Sequence, residues 1–296
     1  MTGLTTLIRI LFLLLTLLFS PALHAADQPA KPPIRIGLTP VFLDYQATFI
    51  NEWRNYLQQH LAQPVVFVQR GNYREIVDLL REGKLDFAWL CGAPYVRNKK
   101  SFQLVAVPLY LGKPLYQSYL IVPSSDTQTQ SLDDLRSKIF AFSDPDSNSG
   151  HLYTEYSLAK QGNNPASFFS KTFFTWSHRK VVEAVANSLA QGGAVDGYVW
   201  DMLAKSHPEF TSKTRIVEKS PQFGHPPFVA SATAPKQDIV AMQQVLFHMT
   251  HDKEGARLLD RLNLDGFVYG ENSLFDSIEE MSRFVDKTRN KAAQKQ

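Results

Sequence analysis

Phe140-Ala141-Phe142-Ser143-Asp144-Pro145-Asp146-Ser147-Asn148-Ser149-Gly150 reads as the end of a buried strand, a polar turn and the start of a helix. The strand is predicted over 138–142 and the helix over about 150–161. The first turn of a helix leaves backbone N–H donors unpaired, and its dipole favours negative charge. Ser147 and Ser149 add hydroxyls that face the same point. Two readings of the turn stay open on these residues alone: a helix cap and an anion site.

Outward from this unit the strand–helix alternation repeats in both directions. Toward the N-terminus, strands are expected at 34–38, 65–68, 85–90 and 103–108. Helices are expected at 49–61, where Phe49, Ile50, Trp53, Tyr56, Leu57 and Leu61 recur at helical spacing, and at about 73–82, stopping at Gly83. Continuous apolar runs such as Val65-Val66-Phe67-Val68 are typical of parallel, doubly covered strands. Toward the C-terminus, further strands fall at 118–122, 172–174, 194–200, 214–218 and 228–232. A helix is expected at about 179–190, and the last part, about 238–262 and 275–287, reads as helical. The fold class is therefore α/β: two Rossmann-like lobes with a central cleft. The reading gives lobe 1 residues 34–120 and 225–290 and lobe 2 residues 121–224, joined by two hinge crossovers near 118–124 and 218–228.

The ends and the composition set the class. Arg9, the apolar run Ile10–Phe19 and the small residues Ala22 to Ala26 describe a secretory signal peptide over 1–25, followed by a stiff linker, 26–33. The apolar run is shorter than the roughly 20 residues that span a bilayer, so the expectation is a cleaved leader and a free periplasmic protein. About 270 residues remain, too many for one small core. A net charge of +3 leaves no electrostatic footprint for nucleic acid. The single cysteine, Cys91, excludes an intrachain disulfide. No Cys/His spacing suits zinc and no glycine pattern cradles phosphate, so no metal or cofactor is expected. A monomer is expected.

In segment order the chain resembles the phosphonate/phosphite-binding family of ABC-transporter solute receptors, which have the type II periplasmic binding fold. Five stretches carry the resemblance: 34–40, Asp86–Val96, Asp133–Gly150, His178–Asp201 and Ser220–Val229. In that family a Ser-Thr-Ser-Gly turn holds phosphoryl oxygens; here it reads Ser147-Asn148-Ser149-Gly150, with Asn148 for threonine. The resemblance implies further ligand contacts. Tyr45 follows the first strand, Gly92, Ala93 and Tyr95 follow the strand ending at Leu90, and His178 opens a helix in lobe 2. Asp201 falls near the family's polar cleft residues. Ligands in open α/β sheets collect at the carboxyl ends of strands, which supports the second group independently. Aminophosphonate receptors of the family carry acidic residues for the ligand's ammonium, whereas the second crossover here is Phe223-Gly224-His225-Pro226-Pro227. An oxyanion without an amine is therefore expected.

The implied function is capture of a small phosphorus oxyanion or phosphonate and its delivery to an ABC permease. A ligand sensor for a histidine kinase uses the same lobes, and an enzyme with Cys91 as nucleophile is the third reading. Cys91 follows an apolar strand, where a buried, inert thiol is expected, so the chain is not read as an enzyme. An ionised Asp201 in the cleft would accept hydrogen bonds only and would favour a ligand that keeps a P–OH over sulfate.

Overall fold

An apolar strand needs cover on both faces, and the alternating helices supply it twice over. The computed structural model describes residues 31–39 and 47–294. The leader read at 1–25, residues 26–30 of the linker, and Tyr45 lie outside the described residues. The described residues from 33 onward cluster as one compact unit.

In chain order the first lobe begins with β1 (Ile34–Leu38), α1 (Ala47–Leu61), β2 (Val65–Gln69), α2 (Tyr73–Arg81), β3 (Phe87–Trp89), α3 (Gly92–Arg97) and β4 (Phe102–Leu109). The hinge strand β5 (Leu115–Tyr116) follows, and then the second lobe: β6 (Ser118–Pro123), β7 (Ile139–Phe142), α4 (Tyr153–Lys160), α5 (Pro165–Phe168), β8 (Lys171–Phe174), α6 (His178–Ala186), β9 (Gly192–Asp196), α7 (Gly197–Ser206), α8 (Pro208–Thr211) and β10 (Thr214–Lys219). The chain returns through β11 (Phe223–Gly224), β12 (Phe228–Ser231), α9 (Lys236–His248), α10 (Lys253–Arg261), β13 (Gly266–Val268) and α11 (Asp276–Ala293). The first sheet has the order β13-β4-β12-β3-β1-β2 and the second β10-β6-β9-β7-β8.

Local chemistry explains most of these elements. The α1 helix buries Phe49, Trp53, Tyr56 and Leu57 as one stripe. The side chain of Asn72 caps α2 by accepting from the Glu75 amide, and Gly83, at φ +68°, turns the chain out of it. Three expectations are corrected. The predicted strand 194–200 ends at Asp196, because its carboxylate accepts from the Tyr198 amide at 2.9 Å and starts α7. Tyr198, Val199 and Leu203 then bury one face of that helix. The predicted helix 238–262 is two helices, because Asp252 caps the second by accepting from the Gly255 amide at 2.7 Å. The sheets are mixed rather than parallel: β1, β2 and β3 run together, but β12, returning from the second lobe, inserts antiparallel between β3 and β4.

The two lobes join through a small ribbon in which β5 and β11 pair antiparallel, Tyr116 opposite Phe223. Residues Ser118–Ile121 pair with β9 in the second sheet, and a continuous apolar strand gives no local sign of changing sheets. Ser118 and Ser220 fasten the crossings together: the Ser118 amide donates to the Ser220 hydroxyl at 2.8 Å and the Ser220 amide to the Ser118 carbonyl at 2.9 Å. The His225 amide donates to the Pro114 carbonyl at 2.9 Å.

Candidate functional site

The turn after β7 is wound as a π-helical turn, Asn148–Leu152, that runs on into α4. Its geometry depends on Gly150. A Cβ there would stand 1.9 Å from the Ser143 hydroxyl, so only glycine lets the turn fold back against the strand end. Ser147 is the cap, accepting from the Gly150 amide at 3.0 Å. The cap reading of this turn is thus correct for Ser147, but it does not exhaust the turn. The Ser149 hydroxyl and the Asn148 carbonyl oxygen are buried without hydrogen-bond partners. Buried polar groups are nearly always paired, so such a concentration marks atoms held ready for something else.

His178 opens α6 beside this turn and is almost fully buried. Its Nδ1 receives the Asp196 amide at 3.0 Å, so Nδ1 must be the lone-pair nitrogen and Nε2 carries the proton. Nε2 lies 3.3 Å from the Tyr73 hydroxyl and 3.4 Å from the Ser147 hydroxyl. Burial pushes the imidazole down to about 3, which keeps it a neutral donor. Asp196 is buried beside it. One carboxylate oxygen caps α7, and Oδ2 has no partner. Burial raises this carboxyl to about 8, against the pull of the Val199 and Tyr198 amides.

The first lobe and the hinge close over the turn. Tyr73 comes from the start of α2, Cys91 from the residue before α3, and Tyr116 from β5. The Asn148 amide N–H donates to the Cys91 sulfur at 3.3 Å, and the Asn148 side-chain NH2 to the Tyr116 hydroxyl at 2.9 Å. Burial raises the Cys91 thiol to about 11, although neighbouring amides pull the other way. His225 sits at the hinge between the rings of Tyr110, Tyr116 and Tyr198. Neither of its nitrogens has a partner of hydrogen-bond geometry, although the Pro226 carbonyl lies near enough to favour protonation slightly.

A second, purely polar tie binds the lobes just outside this cluster. Asp146 receives Arg74 through both nitrogens of a forked contact at 2.9 and 3.2 Å, and Arg97 at 2.9 Å. Asp144 receives the Tyr73 amide at 3.1 Å. Both aspartates belong to the same turn as Ser147.

Of the residues read from sequence, Ser147, Asn148, Ser149 and His178 are brought together. Gly92 and Ala93 border the group through Cys91, whose sulfur their amides approach. Gly92 otherwise faces Ile278 and Phe275 of the C-terminal segment. Tyr95 does not join: its ring packs edge-on against Phe275 and its hydroxyl donates to Asn272. Asp201 does not join either. Its Oδ2 takes the hydroxyls of Tyr110 and, at 3.0 Å, Tyr119, whereas the fully buried carboxyl with an unpartnered oxygen is Asp196. Tyr73, Tyr116, Asp196 and His225, which the sequence motifs do not mark as ligand contacts, join the group. Tyr73 had a signal, since it follows the carboxyl end of β2; Tyr116 reads as an ordinary core aromatic.

The family model of periplasmic substrate-binding proteins of phosphonate ABC transporters matches residues 36–275. The chain belongs to that family. A probable ABC transporter phosphite binding protein from Prochlorococcus marinus strain MIT 9301 is 24% identical to this family member over 251 residues, 81% of this chain and 84% of its own. A phosphate-import protein of Mycolicibacterium smegmatis is 28% identical over 158 residues, 50% and 48% of the two chains. The binding-protein component of an ABC phosphonate transporter from Pseudomonas aeruginosa superposes with a TM-score of 0.80 at 22% identity, over 88% of each chain. The Prochlorococcus protein in complex with methylphosphonate gives 0.76 at 22% identity, over 86% of this chain and 98% of its own. The fold is the type II periplasmic binding fold, with its cleft between two α/β lobes.

Proposed function

We propose that this phosphonate-family receptor is exported to the periplasm, closes its lobes on a small phosphorus oxyanion or phosphonate, and hands it to an ABC permease. The observation that carries the reading is the set of buried, unused hydrogen-bonding groups at the lobe seam: the Ser149 hydroxyl, the Asn148 carboxamide oxygen, Asp196 Oδ2 and the His225 ring. The Nε2–H of His178 and the Ser147 hydroxyl stand beside them. Apart from His225, these groups stand at the starts of helical segments, and with Asp196 held protonated by burial they are neutral dipoles that stabilise an anion without a buried counter-charge. Phosphite, phosphate and methylphosphonate, named for the relatives above, are tetrahedral or near-tetrahedral anions of a size such groups can surround.

Hydrogen bonds to a charged group contribute roughly 1.5–3 kcal/mol each. Four or five of them, less the cost of closing the lobes, reach about −8 kcal/mol, which is micromolar affinity. The test is calorimetric titration of the mature protein with phosphite, phosphate, methylphosphonate and sulfate. At least one phosphorus anion is expected to bind at micromolar concentration or better. No heat with any of the three, from a protein that melts cooperatively, would overturn the ligand class.

A further inference from the structure

The hinge contributes a group that the turn and α6 do not explain. His225 is fully buried, its backbone is tied to the opposite crossing through the Pro114 carbonyl, and both ring nitrogens lack partners. Its ring touches one aromatic from each part of the receptor: Tyr110 at the end of the first sheet at 6.2 Å, Tyr116 in the hinge at 5.6 Å, and Tyr198 in the second lobe at 5.1 Å. Two of those tyrosines lead straight to the other unused atoms. The Tyr116 hydroxyl receives Asn148, and the Tyr198 amide is capped by Asp196. An imidazole buried without a partner is unfavourable, and packing alone would be met as well by a phenylalanine.

We propose that His225 is a ligand contact of the closed cleft, hydrogen-bonding an oxygen of the bound phosphorus anion that the Ser147–Gly150 turn leaves uncovered. This rests on the ligand class proposed above. The two histidines of the site then differ in kind. In His178 the Asp196 amide holds one nitrogen and so fixes the tautomer. In His225 neither nitrogen has a partner of hydrogen-bond geometry, and the Pro226 carbonyl is only a weak neighbour, so a neutral ring can carry its proton on either side. It can donate to a bare P–O⁻ or, after changing tautomer, accept from a P–OH. A receptor built this way takes a phosphorus anion in either of two protonation states, which matters for ligands that titrate near neutral pH. The titratable groups around the ring are Tyr110, Tyr116 and Tyr198, with Asp196 behind Tyr198 and Asp201 on the Tyr110 hydroxyl. Burial keeps the Tyr110 and Tyr116 phenols neutral and pushes His225 itself down to about 3.

The test compares the native protein, His225→Phe and His225→Asn, titrated with phosphite and with inorganic phosphate at pH 6 and pH 8. The native affinity is expected to change less than about threefold between the two pH values. His225→Phe is expected to lose tenfold or more at both, while its ligand-free melting temperature stays level or rises, because an unpaired buried group has been removed. His225→Asn, which keeps a donor and an acceptor, is expected to recover most of the loss. Native-like binding by His225→Phe overturns the proposal, as does an equal loss in both variants, which would mean ring packing alone. If the native protein binds neither anion, the ligand class falls instead. In that case a ligand-free His225→Phe protein that melts lower than native would also overturn the account of an unpaired ring.

Discussion

At the scale of single residues, the Ser147–Gly150 turn divides its labour. Ser147 is committed to the Gly150 amide, whereas the Ser149 hydroxyl has no partner of hydrogen-bond geometry and only lies near the Tyr116 phenol. Ser149→Ala is therefore expected to cut anion affinity about tenfold with little change in melting temperature, since one hydrogen bond to a charge is worth over about 1 kcal/mol. Ser147→Ala is expected to lower both, because a lost helix cap costs about 1 kcal/mol by itself. Calorimetry and thermal melts of the two variants separate the roles, and identical behaviour would contradict the division. Cys91 is buried, its thiol is raised to about 11, and its sulfur accepts an amide from the opposite lobe. Iodoacetamide at neutral pH is expected to leave the native protein unmodified over hours, and Cys91→Ser to bind within a few-fold of native. Rapid alkylation would show a low-pKa thiol and reopen the nucleophile reading. Asp201 anchors Tyr110 and Tyr119 rather than offering a free carboxylate. Asp201→Ala is accordingly expected to lower the melting temperature without altering the preference between phosphite and sulfate, and a changed preference would return Asp201 to the cleft.

At the scale of elements, the turn after β7 does two jobs within four residues. Ser147 to Gly150 shape the cluster, while Asp144 and Asp146 grip the first lobe through Tyr73, Arg74 and Arg97. Exposed ion pairs contribute little, and the Arg74 side chain is 70% exposed, but Asp146 is only 12% exposed and receives two guanidinium groups. The tie is broken whenever the lobes part. Asp146→Ala is therefore expected to speed ligand release three- to tenfold, which is about 0.7–1.4 kcal/mol, with a smaller effect on association. Stopped-flow fluorescence gives both rates, and an unchanged release rate would reduce the pairs to surface decoration. The same turn shows how legibility depends on range. Its strand and its helix are legible from neighbouring residues, whereas those residues alone leave the cap and the anion site both open. In 194–200, by contrast, Val195, Tyr198, Val199 and Trp200 favour a strand, and the helix wins because the Asp196 cap and burial of Tyr198 and Leu203 outweigh that preference.

At the scale of the whole molecule, the buried site sets a pH optimum for the ligand-free protein. His178 and His225 are each depressed from 6.5 to about 3, so the unfolded chain binds those two protons first as the pH falls. Their contribution is complete above about 6.5 and is lost toward pH 3. Buried His151 is also lowered and acts in the same direction. Asp196 is raised from 3.8 to about 8, so its contribution is complete below 3.8 and is lost as the pH rises toward 8. Buried Asp144 is also raised and acts with Asp196, but between about pH 4 and 6.5 the three histidines outnumber the two acids and stability rises with pH, and above 6.5 the acids make it fall. The melting temperature is expected to peak between pH 6 and 7. A scan from pH 4 to 9 that rises steadily to the alkaline end would show that Asp196 is ionised in the folded protein.

The sequence by itself determined the two strand–helix series, the turn at Ser147–Gly150 and the placing of His178 at the head of α6. Each is a local matter: hydrophobic period, cap chemistry and a glycine within one or two turns of chain. The tertiary structure alone decided which residues meet across the lobes. Tyr73, Cys91, Tyr116 and His225 come from four separate stretches of lobe 1 and the hinge, and the strand-end position of Tyr73 is shared by Tyr95, which the fold sends to Phe275 instead. Likewise only folding made Asp196 rather than Asp201 the fully buried carboxyl with an unpartnered oxygen, since the two phenols that Asp201 Oδ2 receives arrive from β6 and from just after β4, some eighty to ninety residues away. Pairing at that distance depends on sheet order and hinge register, which no short window of the chain encodes.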